Sequence, residues 1–196
     1  LLRDVSGDIE WCKANMMDSA LIHKAKRDFA IDVATLAKVM DSYETLKKDR
    51  NLLDFDDILM LMSAAIRTRP DIQSAVHSAY RWFTVDEFQD VNPLQKSVLD
   101  LWIGERDDIC VVGDPSQTIY SFTGASSKYL TEFVKTYPNS TLVDLVRCYR
   151  CSPEIVAMAN AVIHADSRTK PLTLRSQQAS GPPPTITAYA DDNDEA

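Results

Sequence analysis

Acidic side chains follow directly on an apolar, β-favouring run in the segment WFTVDEFQD, residues 82–90. Asp86 and Glu87 are adjacent, and Asp90 lies three residues after Glu87. At the end of a strand such a pair can do chemistry, because one acid can hold Mg²⁺ while the other orients or deprotonates a water molecule. The competing explanation is structural, since acids often precede helices and complement their dipoles.

Two later apolar runs end in groups that complement this acid pair. DICVVGD, residues 108–114, is followed by Gln117, and STLVDLVRC, residues 140–148, is followed by Arg150. An amide can contact a γ-phosphate and an arginine can neutralise developing charge, so these groups and the acids are the parts used to transfer a phosphoryl group to water. The combination favours a phosphoryl-transfer site over simple helix capping.

An open parallel sheet would bring these three strand ends together. A helical pattern follows the first run, with Asn92 as N-cap, Pro93 at the first helical position and Gln95 at the third. Further helices are expected at 127–137 and after the N-cap Ser152. Strands that alternate with helices over short links predict a mostly parallel sheet whose ligands bind beyond the carboxyl ends of the strands.

The N-terminal part has a different pattern, because residues 9–69 contain no glycine or proline and place apolar residues near helical spacing. About three helices are expected there. The last is predicted to start after Asp54 as N-cap, with Asp56 and Asp57 in its first turn, and to end at Pro70.

Composition limits the classes of protein that fit. A chain of 196 residues with 45% hydrophobic content can bury one ordinary core, with room for a second, incomplete lobe. Its net charge of -8 argues against a domain that binds nucleic acid mainly by neutralising phosphates, but leaves base stacking open. No apolar run approaches the roughly 18 residues of a membrane span, so a cytoplasmic protein is expected.

The cysteines do not suggest a disulfide framework in a chain of this class. Cys148 and Cys151 form a CxxC, but a zinc site would need a second close pair or histidines at ligand spacing. We interpret both as ordinary thiols.

Four segments resemble motifs of the superfamily 1 UvrD/PcrA/Rep-like DNA helicases. VDEFQD resembles their Walker B motif, VVGDPSQTIYSFTGA their motif III and VRCYRCSPEI their motif IV, while LLDFDDIL is similar to the stretch before the Walker B strand. Their order and spacing also fit, over roughly residues 52–163. The resemblance implies an α/β fold, a RecA-like P-loop NTPase parallel sheet that is incomplete here, with an N-terminal helical segment.

The resemblance also implies roles for single residues, with ATP and Mg²⁺ as cofactors. Asp86 is similar to the Mg²⁺ ligand and Glu87 to the base that activates water. Gln117 resembles the motif III glutamine that senses the γ-phosphate, Arg150 the arginine that contacts this phosphate, and Tyr149 the aromatic that stacks on adenine.

Single-stranded DNA is the partner implied for motif III, together with duplex junctions and repair proteins. Tyr120 and Phe122 stand where the family places aromatics that stack on bases, and Thr123 is included in this predicted contact. Ser121 and Thr123 occupy positions where arginines are common, and Phe122 replaces a frequent tryptophan, so weaker DNA binding is expected. Cys148 and Cys151 replace the usual Asn and Ser of motif IV.

The phosphate-binding loop of this family is missing from the sequence. None of the five glycines belongs to a GxxxxGK[ST] motif. The family places that motif upstream and motifs V and VI downstream, so we expect an internal fragment that alone neither hydrolyses ATP nor unwinds DNA. The expected parts are a helical segment resembling part of subdomain 1B at 1–50, a partial motor domain 1A at 51–164, a linker at 165–184 and the start of domain 2A at 185–196.

The functional expectation is an ATP-dependent 3′ to 5′ DNA helicase of repair or replication, of which this chain is a part. Two alternatives stay open. An AddA/RecB-like helicase-nuclease would carry a nuclease domain downstream, and a non-catalytic protein-binding module would have lost its phosphate-binding loop.

Overall fold

The described part of the chain is built from short strands and longer helices. The structure is a computed structural model that describes residues 1–165 and 172–191. Its helices are α1 (Leu2–Ala14), α2 (Val33–Arg50), α3 (Phe55–Thr68), α4 (Pro70–Ala79), α5 (Pro93–Ile103), α6 (Lys128–Thr131), α7 (Phe133–Thr136) and α8 (Pro153–His164). Its strands are β1 (Phe83–Val85), β2 (Ile109–Val111), β3 (Arg147–Cys148) and β4 (Arg175–Ser176).

The chain divides into two compact units, a first unit of Leu1–Asn139 and a second of Ser140–Ala196. Within the first unit β1 and β2 pair in parallel, with α5 between them in sequence, as predicted. Phe88 and Ile103 are buried beneath this pair together with Leu99. The result is a mixed α/β fold with a small parallel sheet.

A second core lies in the helical part of the first unit. Cys12, Ile22, Leu36 and Met40 are buried there, and Trp11 packs its ring edge against Phe29 at a centroid distance of 6.0 Å. The four buried residues come from α1, α2 and a 3₁₀ turn at Ile22–Lys24, and Phe29 lies in the loop before α2. Helices α1 to α3 confirm the expectation of about three helices over residues 9–69.

Local capping chemistry explains where α3 and α5 begin. Asp54 accepts a hydrogen bond from the backbone of Asp57 and Asp57 accepts one in return, which is a capping box. Asn92 and Gln95 make the same exchange at α5, with Pro93 at the first helical position. Both predicted N-caps are confirmed, whereas Ser152 precedes α8 without a capping hydrogen bond from its side chain.

The helix predictions need two corrections. The predicted end of α3 before Pro70 is confirmed, since α3 ends at Thr68, but the sequence did not predict α4, which Pro70 can start because the first helical position needs no N–H donor. The helix predicted at 127–137 is split into α6 and α7 at Glu132, whose backbone leaves helical geometry at φ -101° and ψ 10°. Phe133, directly after the break, packs against both Phe88 and Tyr137, at centroid distances of 6.0 and 4.7 Å.

The prediction of a third strand over residues 140–148, in one sheet with β1 and β2, is wrong. Of residues 140–148 only Arg147 and Cys148 form a strand, and β3 pairs in parallel with β4 inside the second unit. Leu142 and Leu145 are 76% and 71% exposed, so this apolar run lacks the covering elements that a buried strand requires.

The C-terminal expectations are only partly covered by the described residues. Residues 185–190, in the segment predicted as the start of domain 2A, form no strand, and 192–196 lie outside the described part. The predicted linker at 165–184 contains β4, and residues 166–171 of it are also outside. The boundaries between the four predicted parts stay predictions. Among the described helices, none combines the length and the apolar character needed to cross a bilayer.

Candidate active site

The acid pair lies directly beyond the end of β1. The hydrogen bonding between β1 and β2 continues past both strands, because the Val112 N–H donates to the Val85 carbonyl at 2.8 Å and the Phe88 N–H to the Val112 carbonyl at 2.9 Å. The two loops that follow are thereby held side by side. Asp86 and Glu87 are exposed at this edge of the sheet.

Glu87 has an unusual backbone conformation. Its φ of 50° and ψ of 40° lie in the left-handed region, which costs a residue with a Cβ atom roughly 1–2 kcal/mol. The Glu87 N–H donates to Oδ1 of Asp86 at 2.9 Å, and the turn sends Phe88 fully into the core. Strain of this kind is concentrated at functional sites, which makes Glu87 a candidate for a functional role.

No cation neutralises these acids within the first unit. Among the residues that the structure describes between 1 and 139, no Lys or Arg makes an ion pair with Asp86, Glu87 or Asp90. Oδ1 of Asp90 is buried without a hydrogen-bond partner in the described residues. An exposed, unpaired carboxylate is the donor that Mg²⁺ takes from proteins, with phosphate oxygens and water as its other ligands, so Asp86 fits this ion.

Gln89 connects the acid pair to the loop after β2. It is 1% exposed, its Nε2 donates to Oε2 of Glu87 at 2.7 Å, and its Oε1 accepts the Asp114 N–H at 3.1 Å. The close approach requires Gly113, since a Cβ atom there would lie 2.5 Å from Oε1 of Gln89. A buried glutamine was not among the predicted site residues, and its place inside VDEFQD is the only sequence signal that pointed to it.

Gln117 lies in the same loop and is exposed. Its Nε2 donates to Oδ2 of Asp114 at 3.0 Å, while Oδ1 of Asp114 accepts the Ser116 N–H at 2.9 Å. Asp114 therefore fixes a 3₁₀ turn, Pro115–Gln117, and holds the Gln117 amide at the edge where Glu87 lies. The ends of β1 and β2 thus lie at one edge, as predicted, and Glu87 and Gln117 are connected through Gln89 and Asp114.

The aromatic residues of the next turn are also exposed. Tyr120 and Phe122 have 49% and 63% of their surface accessible, with ring centroids 6.2 Å apart. The Thr123 hydroxyl donates to the Tyr120 carbonyl at 2.9 Å. Arg27, which the sequence gave no reason to select, donates from Nη1 to the Phe122 carbonyl at 3.1 Å and so ties the helical part to this turn.

The remaining predicted residues lie in the second unit. Tyr149 and Arg150 are exposed between β3 and α8, where they line an open cavity of about 540 Å³ with Cys148 and Cys151. Hydrogen bonds from the backbone N–H groups of Cys151 and Arg150 lower the pKa of the Cys148 thiol. Both cysteines are free. The expectation that the third strand joins the sheet of the first two is wrong, because β3 pairs with β4 in a separate sheet.

Sequence comparison assigns the family. The sequence model of a family described as "UvrD/REP helicase N-terminal domain" matches residues 3–138. The chain belongs to the UvrD/REP helicase family. The match includes Asp86, Glu87 and Gln117, and it ends before Tyr149 and Arg150.

Individual proteins similar to this chain are also helicases of this kind. The chain is 42% identical to the ATP-dependent DNA helicase UvrD2 of Mycobacterium tuberculosis, over 100% of this chain and 29% of the relative. It is 32% identical to the ATP-dependent DNA helicase PcrA of Leuconostoc citreum, over 83% of this chain and 22% of that protein. The chain thus spans less than a third of the length of these relatives.

A second acidic cluster in the UvrD/REP-matched region has a different character. Glu44, Asp54 and Asp57 place carboxylate oxygens within 4.8 Å of one another, a spacing that could suit a metal ion. The ammonium groups of Lys13 and Lys47 both contact all three carboxylates, at 2.5–3.4 Å. Because cations already occupy this position, the cluster is a structural ion-pair network.

Proposed function

We propose that the chain contributes the water-activating side of the ATP site in an ATP-dependent DNA helicase with a RecA-like motor domain. The observation that carries this proposal is that Asp86 and Glu87 are exposed at the end of β1, without a cationic partner among the described residues of the first unit. The buried side chain of Gln89 connects Glu87 by hydrogen bonds to the loop of Gln117. The names of the relatives, both ATP-dependent DNA helicases, support it.

Each polar residue of the site has a distinct role in this proposal. Asp86 holds Mg²⁺, which when bound neutralises charge on the phosphate oxygens. Glu87 accepts a proton from the attacking water and Gln117 contacts the γ-phosphate. Arg150 neutralises developing charge and Tyr149, which is 63% exposed, offers its ring to adenine.

The DNA contact in this proposal depends on stacking. Tyr120 and Phe122 present exposed rings to single-stranded bases, with Thr123 beside them, which suits a chain of net charge -8 better than a wide basic surface does. The full-length helicase moves 3′ to 5′ along single strands and opens duplex junctions in the cytoplasm during DNA repair or replication, with repair proteins as partners. The chain alone is inactive, because its sequence has no GxxxxGK[ST] loop.

DNA-stimulated ATP hydrolysis by the full-length protein tests this function. We expect Glu87→Gln to lower kcat about 100- to 10,000-fold, the usual contribution of a general base. Asp71→Asn is the matched control, since Asp71 is an exposed acid paired with Arg69 at 2.9 Å, and it should retain activity. Equal activity of Glu87→Gln and the unmodified protein would refute the proposed role, and hydrolysis by the 196-residue chain alone would refute its predicted inactivity.

A further inference from the structure

Gln89 is a buried amide whose polar atoms all have partners. Its Nε2 donates to Oε2 of Glu87 at 2.7 Å and to Oδ2 of Asp90 at 3.3 Å, and its Oε1 accepts the Asp114 N–H at 3.1 Å. Because Gln89 is 1% exposed, any of these groups without its partner would be a buried polar group without a hydrogen bond, which destabilises the fold. The side chain is therefore held in a single orientation.

The partners of Gln89 determine which end of the amide is which. Carboxylates accept hydrogen bonds and a backbone N–H donates one, so the amide nitrogen must face Glu87 and Asp90 while the oxygen faces Asp114. The opposite assignment would place a carbonyl oxygen against two carboxylates. The direction of the hydrogen bonds follows from this chemistry.

Three hydrogen bonds, linked through the residues Gln89 and Asp114, join Glu87 to Gln117. From Gln89 this path continues through the Asp114 backbone N–H to the Asp114 carboxylate, whose Oδ2 accepts from Nε2 of Gln117 at 3.0 Å. The backbone of Gly113 packs closely against this path, since a Cβ atom at this position would also lie 3.2 Å from the Phe88 nitrogen. A displacement of either end must move the buried amide or break one of its hydrogen bonds.

The geometry at Glu87 gives the path a consequence for reactivity. Gln89 occupies Oε2, whereas no described residue of the first unit makes a hydrogen bond to Oε1. One carboxylate oxygen is thus anchored and the other is available to water. The backbone of Glu87 is in the strained left-handed region. The hydrogen bond from Gln89 fixes the direction of the Glu87 side chain on this turn.

We propose that Gln89 is a positioning residue: it orients the Glu87 carboxylate and couples it to the Gln117 loop, so that contact of Gln117 with a phosphate sets the position of the base. The inference rests on the proposed function of Glu87. It assigns to the glutamine of VDEFQD a role in hydrolysis, without direct contact to nucleotide.

Steady-state ATP hydrolysis by the full-length protein, at saturating single-stranded DNA, tests the proposal. Gln89→Met keeps the length of the side chain and removes the amide, and we expect kcat to fall about 10- to 100-fold, the effect of a misplaced catalytic group. KM for ATP should change less than about twofold, because Gln89 touches no nucleotide. Gln95→Met is the matched control, since Gln95 has a hydrogen-bonding role in the α5 capping box, and it should leave kcat unchanged.

A double-mutant cycle separates positioning from a structural role. In a Glu87→Gln background, Gln89→Met should change the residual single-turnover rate less than about twofold, because the base that it orients is already absent. An equal fall in both backgrounds, or an unchanged kcat in Gln89→Met alone, would overturn the role of Gln89 while the proposed function stands. Unchanged hydrolysis in Glu87→Gln would overturn both.

A second variant guards against misfolding. Gln89→Asn keeps the amide but withdraws it by one methylene group, so it should lose the link to Glu87 and reproduce the fall in kcat. Thermal unfolding monitored by circular dichroism shows whether each variant is folded. Full activity of a folded Gln89→Asn protein would contradict the proposal as directly as full activity of Gln89→Met.

Discussion

Two pairs of acids in the first unit have opposite surroundings. The lysine-bound acids, Asp54 and Asp57, form a capping box at α3 and each contact the ammonium groups of two buried lysines at 2.5–2.8 Å. The strand-end acids, Asp86 and Glu87, have no such cation in the described part of the unit. Two acids that lie close together in the sequence can therefore either bind lysines within the fold or stay without a cationic partner.

The ionisation of the lysine-bound acids reflects their partners. Burial acts to raise the pKa of Asp54, but hydrogen bonds from Lys13 and Lys47 hold that pKa well below its usual range. Burial likewise acts to lower the pKa of Lys47, and its hydrogen bonds to Asp54, Asp57 and Glu44 raise it instead. A carboxylate in this network is committed to the fold, whereas an unpaired one on a strained turn is available for chemistry.

The largest expected effect separates activity from stability. Glu87→Gln should lower kcat of the full-length helicase about 1000-fold, or about 4 kcal/mol in activation free energy. The same change should alter the free energy of unfolding of the 196-residue chain by less than about 0.5 kcal/mol, since the side chain is exposed. Kinetics and urea denaturation measure the two quantities, and a large loss of stability would place Glu87 with the lysine-bound acids.

The next effect is expected at the lysine-bound acids and has the opposite character. Lys47→Met keeps the aliphatic stem but leaves Glu44, Asp54 and Asp57 to a single ammonium group, which should cost about 3 kcal/mol of unfolding free energy. Urea denaturation of the chain measures this cost. Lys38→Met, at an exposed position of α2, is the control and should cost less than about 0.5 kcal/mol. Equal values for the two variants would mean that the network adds no stability.

The sequence predicted one of these two sites better than the other. Asp86, Glu87 and Gln117 could be placed at one edge because strand ends and loops are local features. Lys13 and Asp54 lie 41 residues apart, so no local pattern linked them. The sequence does not predict the burial of Gln89, because glutamine is usually exposed in proteins and its burial here depends on close packing against Gly113.

The strand order shows the same limit. Residues 140–148 have the apolar content of a strand, but a strand also requires a partner, and β4 lies in a segment predicted to be a linker. The apolar run predicted extended structure correctly for Arg147 and Cys148 and gave no information about the sheet to which they belong. Pairing between distant segments is a property of tertiary structure, which local propensity does not determine.

The pH dependence of stability gives a smaller effect at the lysine-bound acids. Because the folded pKa of Asp54 lies below its unfolded value of about 3.9, its contribution is present above about pH 4 and is lost as pH falls through the folded pKa. The raised pKa of Lys47 gives a contribution that is present below about pH 10 and is lost as pH rises further.

Urea denaturation of the unmodified chain and of Lys47→Met at several pH values measures how much the ion-pair network contributes to the free energy of unfolding. The difference in unfolding free energy between them should be constant from about pH 5 to pH 9 and should shrink by about 1–2 kcal/mol at pH 3. Lys38→Met serves as the comparison, since it removes an exposed lysine of α2 that lies outside this network. A difference that does not depend on pH would mean that Lys47 contributes through packing of its stem.

The smallest effect concerns the backbone of Glu87. At a φ of 50° a glycine avoids the clash of a Cβ atom, so Glu87→Gly should be about 1 kcal/mol more stable than Glu87→Ala. At Lys38 inside α2 the order should reverse, with glycine about 1 kcal/mol less stable than alanine. The pair of alanine variants removes the side chain at both sites, so the reversal isolates backbone strain. If alanine were equal to glycine at residue 87, the left-handed turn would store no strain, and only the missing cation would distinguish the strand-end acids from the lysine-bound acids.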